Sequence, residues 1–192
     1  MKNLRKITIA VLVLTMIFAF SACTKSNTPT VVVEKQMQQI KDEQSETELS
    51  SLVSDASIAK KYKKQYQKLL EKIQDFDYEV TDEKIDGDSA TVTVKITTYD
   101  FGKAYQEMYE QISKDAAAGK ISSSTDTTNY IYKLMFSKMN GLKDKDYTKK
   151  VTVKCTKDDD GTWDTNILDD SSIEDAILGG VMTIVNKSSS SK

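Results

Sequence analysis

Histidine is missing from all 192 residues of this chain, and the absence removes whole classes of chemistry. Without imidazole there is no Ser-His-Asp or Cys-His nucleophile arrangement and no histidine-ligated metal site. A Ser-Lys pair stays formally open, but no motif supports one. Cysteine is almost as scarce, with Cys23 and Cys155 the two in the sequence. The seven glycines are scattered, and Gly179-Gly180 lacks the flanking pattern of a phosphate-cradling loop. Proline and tryptophan occur once each, as Pro29 and Trp163.

The first residues read as a targeting segment, to be set aside before fold reasoning. Lys2, Arg5 and Lys6 give a positive start, and Ile7 to Phe20 form a 14-residue stretch without a charge. That is too short for a permanent membrane helix, which needs roughly 20 residues. Ser21-Ala22 then precede Cys23, where a lipoprotein signal places its modified cysteine; Phe20 stands where leucine is usual. The expectation is cleavage after residue 22 and lipidation of Cys23. Two acyl chains there suffice for stable anchoring on the extracytoplasmic face of the cell membrane. Residues 23–30 read as a short polar tether, 31–186 as one domain and 187–192 as a disordered tail.

Removing residues 1–22 leaves 24 basic against 29 acidic residues, a balance of −5 where the precursor has −2. An acidic chain has no phosphate-neutralising stripe, so nucleic acid is not an expected partner. Lys60, Lys61, Lys63 and Lys64 cluster, but on a helix whose other side is apolar, as a solvated surface does. With Cys23 committed to lipid, Cys155 has no disulfide partner and reads as a small buried hydrophobe beside Val151 and Val153.

Periodicity supplies the fold class. Val33, Met37 and Ile40 fall at helical spacing, and so do Ile58, Tyr62, Tyr66, Leu69, Leu70 and Ile73. Asp42 to Ser57 reads as a loop or weak helix. Phe76, Tyr78 and Val80, then Ala90, Val92, Val94 and Ile96, alternate on two strands around Asp86-Gly87. Asp100 is placed to cap a helix carrying Phe101, Ala104, Tyr105, Met108 and Ile112. Ala116 to Thr128 reads as a loop. A helix with Tyr130, Ile131, Leu134 and Met135 follows, ending at Asn140-Gly141. A second hairpin runs from Tyr147 to Leu168 around Asp158 to Gly161. Ser171 or Ser172 then caps a last helix, which Gly179-Gly180 interrupts. Together these make an α+β domain: an antiparallel curved sheet wrapped by helices on one face.

The run FDYEVTDEKIDGDSATVTVKITTYDFGKAYQEM, the hairpin YTKKVTVKCTKDDDGTWD and the terminal IEDAILGG resemble uncharacterised lipoproteins of clostridia and related Gram-positive bacteria. Their soluble domains belong with the cystatin-like, nuclear transport factor 2-like fold. The resemblance spans residues 33–185 and departs at Asp164-Thr165-Asn166. It implies a cone-shaped cavity under the sheet, and no catalytic residue.

Asp158 to Gly161 does not make a calcium loop. Aligned on its glycine, Thr156 would take the first ligand position and Ile167 the twelfth, where a bidentate glutamate is needed. No metal and no cofactor is expected. Enzymes of that fold use an inward carboxylate, and the inward strand positions carry none. Tyr66, Tyr78, Tyr105 and Trp163 remain as candidates to line a small-molecule pocket. The sequence therefore favours non-catalytic binding of a small ligand or an envelope protein by a membrane-tethered domain. The alternatives are a cavity enzyme, testable at Asp100 or Glu79, and a structural subunit dimerising through its sheet face.

Overall fold

The computed structural model describes residues 27–42, 60–122 and 125–190, with side chains as far as Lys187. Cys23, Ile58 and most of the stretch from Asp42 to Ser57 lie outside the described residues. The first helix, α1 (Pro29–Asp42), begins on the single proline. Proline suits a first helical turn because its fixed φ is helical and no N–H is lost. Pro29, which the sequence reading puts in the tether, is therefore buried in the body. Val33 and Met37 are fully buried and Ile40 half-buried, as their spacing requires.

After α2 (Lys63–Gln74) the chain enters β1 (Asp77–Asp86) and β2 (Ser89–Thr98). Asp86 pairs with Ser89, which leaves Gly87 and Asp88 as the turn, and Gly87 takes a φ of 60°. Glycine reaches that left-handed conformation without the clash a Cβ brings. Every second residue of β2, from Ala90 to Thr98, is buried, while Thr91, Thr93, Lys95 and Thr97 are half-exposed. Strand β1 carries a bulge between Val80 and Asp82. The extra residue flips the alternation, so Glu83 and Ile85, not Asp82 and Lys84, lie opposite the buried Val92 and Ala90.

Two helices follow, α3 (Phe101–Ala117) and α4 (Thr127–Gly141). Asp100 accepts the Lys103 N–H at 2.7 Å and caps α3 as expected; Asp126 caps α4 through the Asn129 N–H at 3.0 Å. Helix α3 runs past Ala116, so the connecting loop begins later than the sequence suggests. Strands β3 (Tyr147–Lys157) and β4 (Trp163–Thr165) then complete an antiparallel sheet in the order β1-β2-β3-β4. Val151, Val153 and Cys155 oppose Val94, Val92 and Ala90 and share their buried face.

After a 3₁₀ turn at Ile167–Asp169 comes α5 (Ser171–Ile177), and Asp170 is its N-cap, accepting the Ser172 N–H at 2.8 Å. The cap expected from Ser171 or Ser172 thus falls one position earlier. Asp170 holds extended φ/ψ and its carboxylate engages the Ser172 hydroxyl as well as the amide. Gly179 and Gly180 separate α5 from α6 (Val181–Ser190), which continues through the segment expected as a tail from Lys187.

The architecture is α+β, an open curved antiparallel sheet with its helices on one face. Helices α1 and α5 cover the sheet. Val33, Met37, Phe76, Trp163, Ile167, Ile173 and Ala176 fill the space beneath with hydrocarbon. Each fully buried aliphatic side chain there contributes roughly 1.5–3 kcal/mol. Helices α2, α3 and α4 build a second cluster around Tyr62, Leu69, Phe101, Ala104, Phe136 and Met139, and Ile73 touches both.

Candidate functional site

The inward side chains of Tyr147 and Lys149, at the start of β3, face an open cleft of about 620 Å³. Its other walls are Asp100, Lys103 and Gln106 at the start of α3, the Gly179-Gly180 turn, and Thr183 and Ile184 of α6.

The glycines allow these elements to meet. Gly102 N–H donates to the Gly179 carbonyl at 3.0 Å. A Cβ on Gly102 would come within 2.7 Å of both that oxygen and the Ile184 side chain. Gly179 has a φ of 57°, and a Cβ there would run into the backbone at Tyr99 and Phe101. Gly180 has a φ of 81°, and the Tyr147 ring lies against it.

Beneath the cleft floor sits Asp175, 5% exposed. Its carboxylate accepts Lys149 Nζ at 2.9 Å, the Thr183 N–H at 3.0 Å and the Thr183 hydroxyl at 2.7 Å. The amide bond makes Asp175 a surrogate N-cap for α6, whose own cap position is Gly180 and has no side chain. Burial pushes the Asp175 carboxyl up, but Thr183 and Lys149 outweigh it and hold the group below the ordinary carboxylate range. Burial raises the Tyr147 hydroxyl, as do Asp175 and Asp100, with Lys149 opposing. With Asp175 and Lys149 neutralising each other, Lys103, Gln106 and the Tyr147 hydroxyl are the polar groups available to an occupant. Asp100 faces the same space while one of its oxygens caps α3.

The sequence candidates are distributed differently. Tyr78 and Trp163 belong to the sheet core: Tyr78 lies 6.3 Å from Phe76 with its hydroxyl on α1, and Lys157 sits over the buried Trp163 ring. Tyr66 and Tyr105 belong to the helix core, Tyr66 at 5.6 Å from Phe136 and Tyr105 at 5.0 Å from Tyr109. Burial, with help from Tyr109, pushes Tyr105 up to about 12. The four do not converge on one cavity. Of the two carboxylates named as possible bases, Asp100 faces the cleft, whereas Glu79 pairs with Lys95 at 2.8 Å on the solvent face. Cys23 is outside the described residues. Among the described residues no cluster of acidic or thiol side chains fits a metal ion.

Sequence reasoning missed two buried carboxylates. Asp175 escapes it because its partners Lys149 and Thr183 are 26 and eight residues away. Asp115, 8% exposed, accepts Tyr130 at 2.6 Å, Lys120 at 2.8 Å and Gln111 at 2.9 Å, which ties α3 to α4 and holds its carboxyl far below the ordinary range. Its spacing to Gln111 is an i,i+4 signal on α3 that periodicity of apolar residues does not reveal.

No protein-family model matches the chain, and no curated protein matches it. Among solved structures it is similar to the crystal structure of a "putative lipoprotein (ycdA)" from Bacillus subtilis, at 16% identity and a TM-score of 0.40. The similarity covers 78% of this chain and 46% of that one, so the chain spans less than half the length of its neighbour. A likeness of that size carries no argument about family or role, and the cleft stands on its own geometry.

Proposed function

We propose that this chain is a lipid-anchored extracytoplasmic lipoprotein that binds a ligand or envelope partner, without catalysing a reaction. The observation that carries the reading is the junction at its start. A positive segment, a 14-residue uncharged stretch and Ser21-Ala22-Cys23 are followed, six residues after the cysteine, by the buried Pro29 of α1. Six extended residues reach roughly 20 Å, so lipid on Cys23 keeps the body next to the bilayer. Binding is supported by the open cleft between α3, β3 and α6. A non-catalytic role is supported by the state of its buried acid, which is ion-paired and triply hydrogen-bonded rather than poised to take a proton.

Metabolic labelling with a palmitate analogue in a Gram-positive host tests the anchor. The full chain should take up label in the membrane fraction, and Cys23→Ser should lose the label and appear in the medium. A Cys23→Ser protein that stays membrane-bound overturns the reading. Native mass spectrometry of the protein from the same host tests occupancy: added mass lost in Lys103→Glu assigns the ligand to the cleft, and a turnover assay that fails in Asp100→Asn overturns the non-catalytic role.

A further inference from the structure

Backbone direction along β3 alternates, and three bonds fix which residues face which neighbour. Lys157 N–H donates toward β2, to Asp88 at 2.8 Å, whereas Asp158 N–H and the Lys154 carbonyl bond to Thr162 and Thr165 on the β4 side. Even-numbered residues therefore present their N–H and C=O away from β2. Strand β4 pairs only with residues 155–157 and has ended by Lys154. The main-chain groups of Thr148, Lys150 and Thr152 consequently face no strand among the described residues, and all three residues are exposed.

Open edges are usually blunted by bulges, prolines or charged side chains, lysine above all. The other edge, β1, has its bulge between Val80 and Asp82 and carries Asp77, Glu79, Asp82, Glu83 and Asp86. The β3 edge has neither bulge nor proline; its guards are lysines, Lys149 inward and paired with Asp175, Lys150 and Lys154 outward, which disfavour a basic strand and leave an acidic one welcome. Its register to β2 is unbroken from Tyr147 to Thr156, and the outward charges along that stretch, Lys150 and Lys154, are positive in a chain whose net charge is negative. Lys103 adds a cation across the cleft, which opens directly beside this edge through Tyr147 and Lys149.

We propose that the β3 edge from Tyr147 to Val153 captures an extended acidic peptide segment of a partner protein as an added strand, in line with β4. The inference rests on the binding reading above and names the partner's chemistry. Main-chain bonds to Thr148, Lys150 and Thr152 supply affinity, and alternate side chains of the guest enter the cleft. The open edge is roughly 20 Å long at 3.3 Å per residue, enough for about six guest residues. Acidic residues on the guest meet Lys150 on the solvent side and Lys103 on the cleft side. A second copy fits less well, because its acidic edge is the bulged β1.

The test uses the full chain in detergent and a fluorescein-labelled octapeptide repeating Glu-Glu-Thr-Thr, which as a strand presents glutamate on both faces. Fluorescence anisotropy should show saturable binding that weakens with added salt. Lys150→Glu should weaken it at least threefold, and Thr152→Pro at least tenfold. Proline at 152 removes an outward N–H without breaking the ladder to β2. If Thr152→Pro lowers the melting temperature, a peptide N-methylated at alternate residues supplies the same test on unmodified protein and should bind at least tenfold more weakly. Hydrogen exchange at Thr148, Lys150 and Thr152 should slow on binding. No slowing at saturating peptide, or binding indifferent to N-methylation, overturns the proposal. Slowing that grows with protein concentration and without peptide also overturns it, by giving the edge to a second copy. None of these outcomes bears on the palmitate label, so failure here is separable from failure of the anchor.

Discussion

Asp175 joins three elements through one carboxylate: it is carried by α5, caps α6 through Thr183 and pairs with Lys149 of β3. Breaking a buried pair strands a charge at about 3–5 kcal/mol, and solvent access to Lys149 reduces that here. Asp175→Asn is expected to cost about 2 kcal/mol in urea denaturation at neutral pH, with Thr183→Val costing about 1 kcal/mol. The pH dependence has a defined sign. A carboxyl held below its ordinary range stabilises the fold fully above the unfolded pKa of about 3.9 and loses that contribution as pH falls through the folded value. Stability from this group should thus hold from neutral pH down to about pH 4 and drop below it, and the drop should be smaller in Asp175→Asn; an unchanged acid profile would remove the group from the account. Gly179→Ala is expected to cost more than about 2 kcal/mol, since it adds a backbone clash to the strain of a positive φ.

Elements differ in how much of them the sequence discloses. The β2 and β3 alternation is legible because burial on one sheet face imposes a period of two on residue type, as Val92, Val94, Val151 and Val153 display. Val153→Ala should cost about 2.5 kcal/mol and Thr152→Ala less than about 0.5 kcal/mol, measured by thermal or urea unfolding. Comparable losses at both positions would mean that the sheet is covered on both faces. The α1 and α3 stripes and the Asp100 cap are legible for similar local reasons; α4 is legible as a helix, but it buries Phe136 and Met139 rather than Tyr130, Ile131 and Leu134. The bulge in β1 is not, since Thr81 looks like any strand residue and its effect appears only where Glu83 meets Val92. Nor is the candidate cleft: Tyr147, Lys103 and Thr183 come together through the Gly102–Gly179 approach, a contact across 77 positions of sequence. Counting tyrosines finds the two cores instead, because aromatic side chains are commonest where apolar area is buried.

At the scale of the molecule, the sheet core and the helix core meet at a narrow seam. Ile73 packs against both, and Asp75 accepts Tyr99 at 2.8 Å and Lys145 at 2.8 Å, with Lys72 3.9 Å above the Tyr99 ring. Trp163 reports on the first core, and Tyr62, Tyr66 and Tyr132 on the second. Tryptophan fluorescence and near-ultraviolet tyrosine dichroism should follow one urea transition in the parent chain. In Ile73→Ala the two midpoints should separate; coincident midpoints would place the coupling elsewhere. The sheet core also holds Cys155, 1% exposed, its thiol pushed up by burial. Thiolate is the form that oxidises, so the native thiol is closed to crosslinking while the unfolded one is open. On the lipid-anchored reading proposed above, an oxidising compartment would make folding a race: each chain would have to close β2 on β3 before the sulfur of Cys155 meets that of a neighbour, and chains that lose would leave the folding pool as covalent dimers.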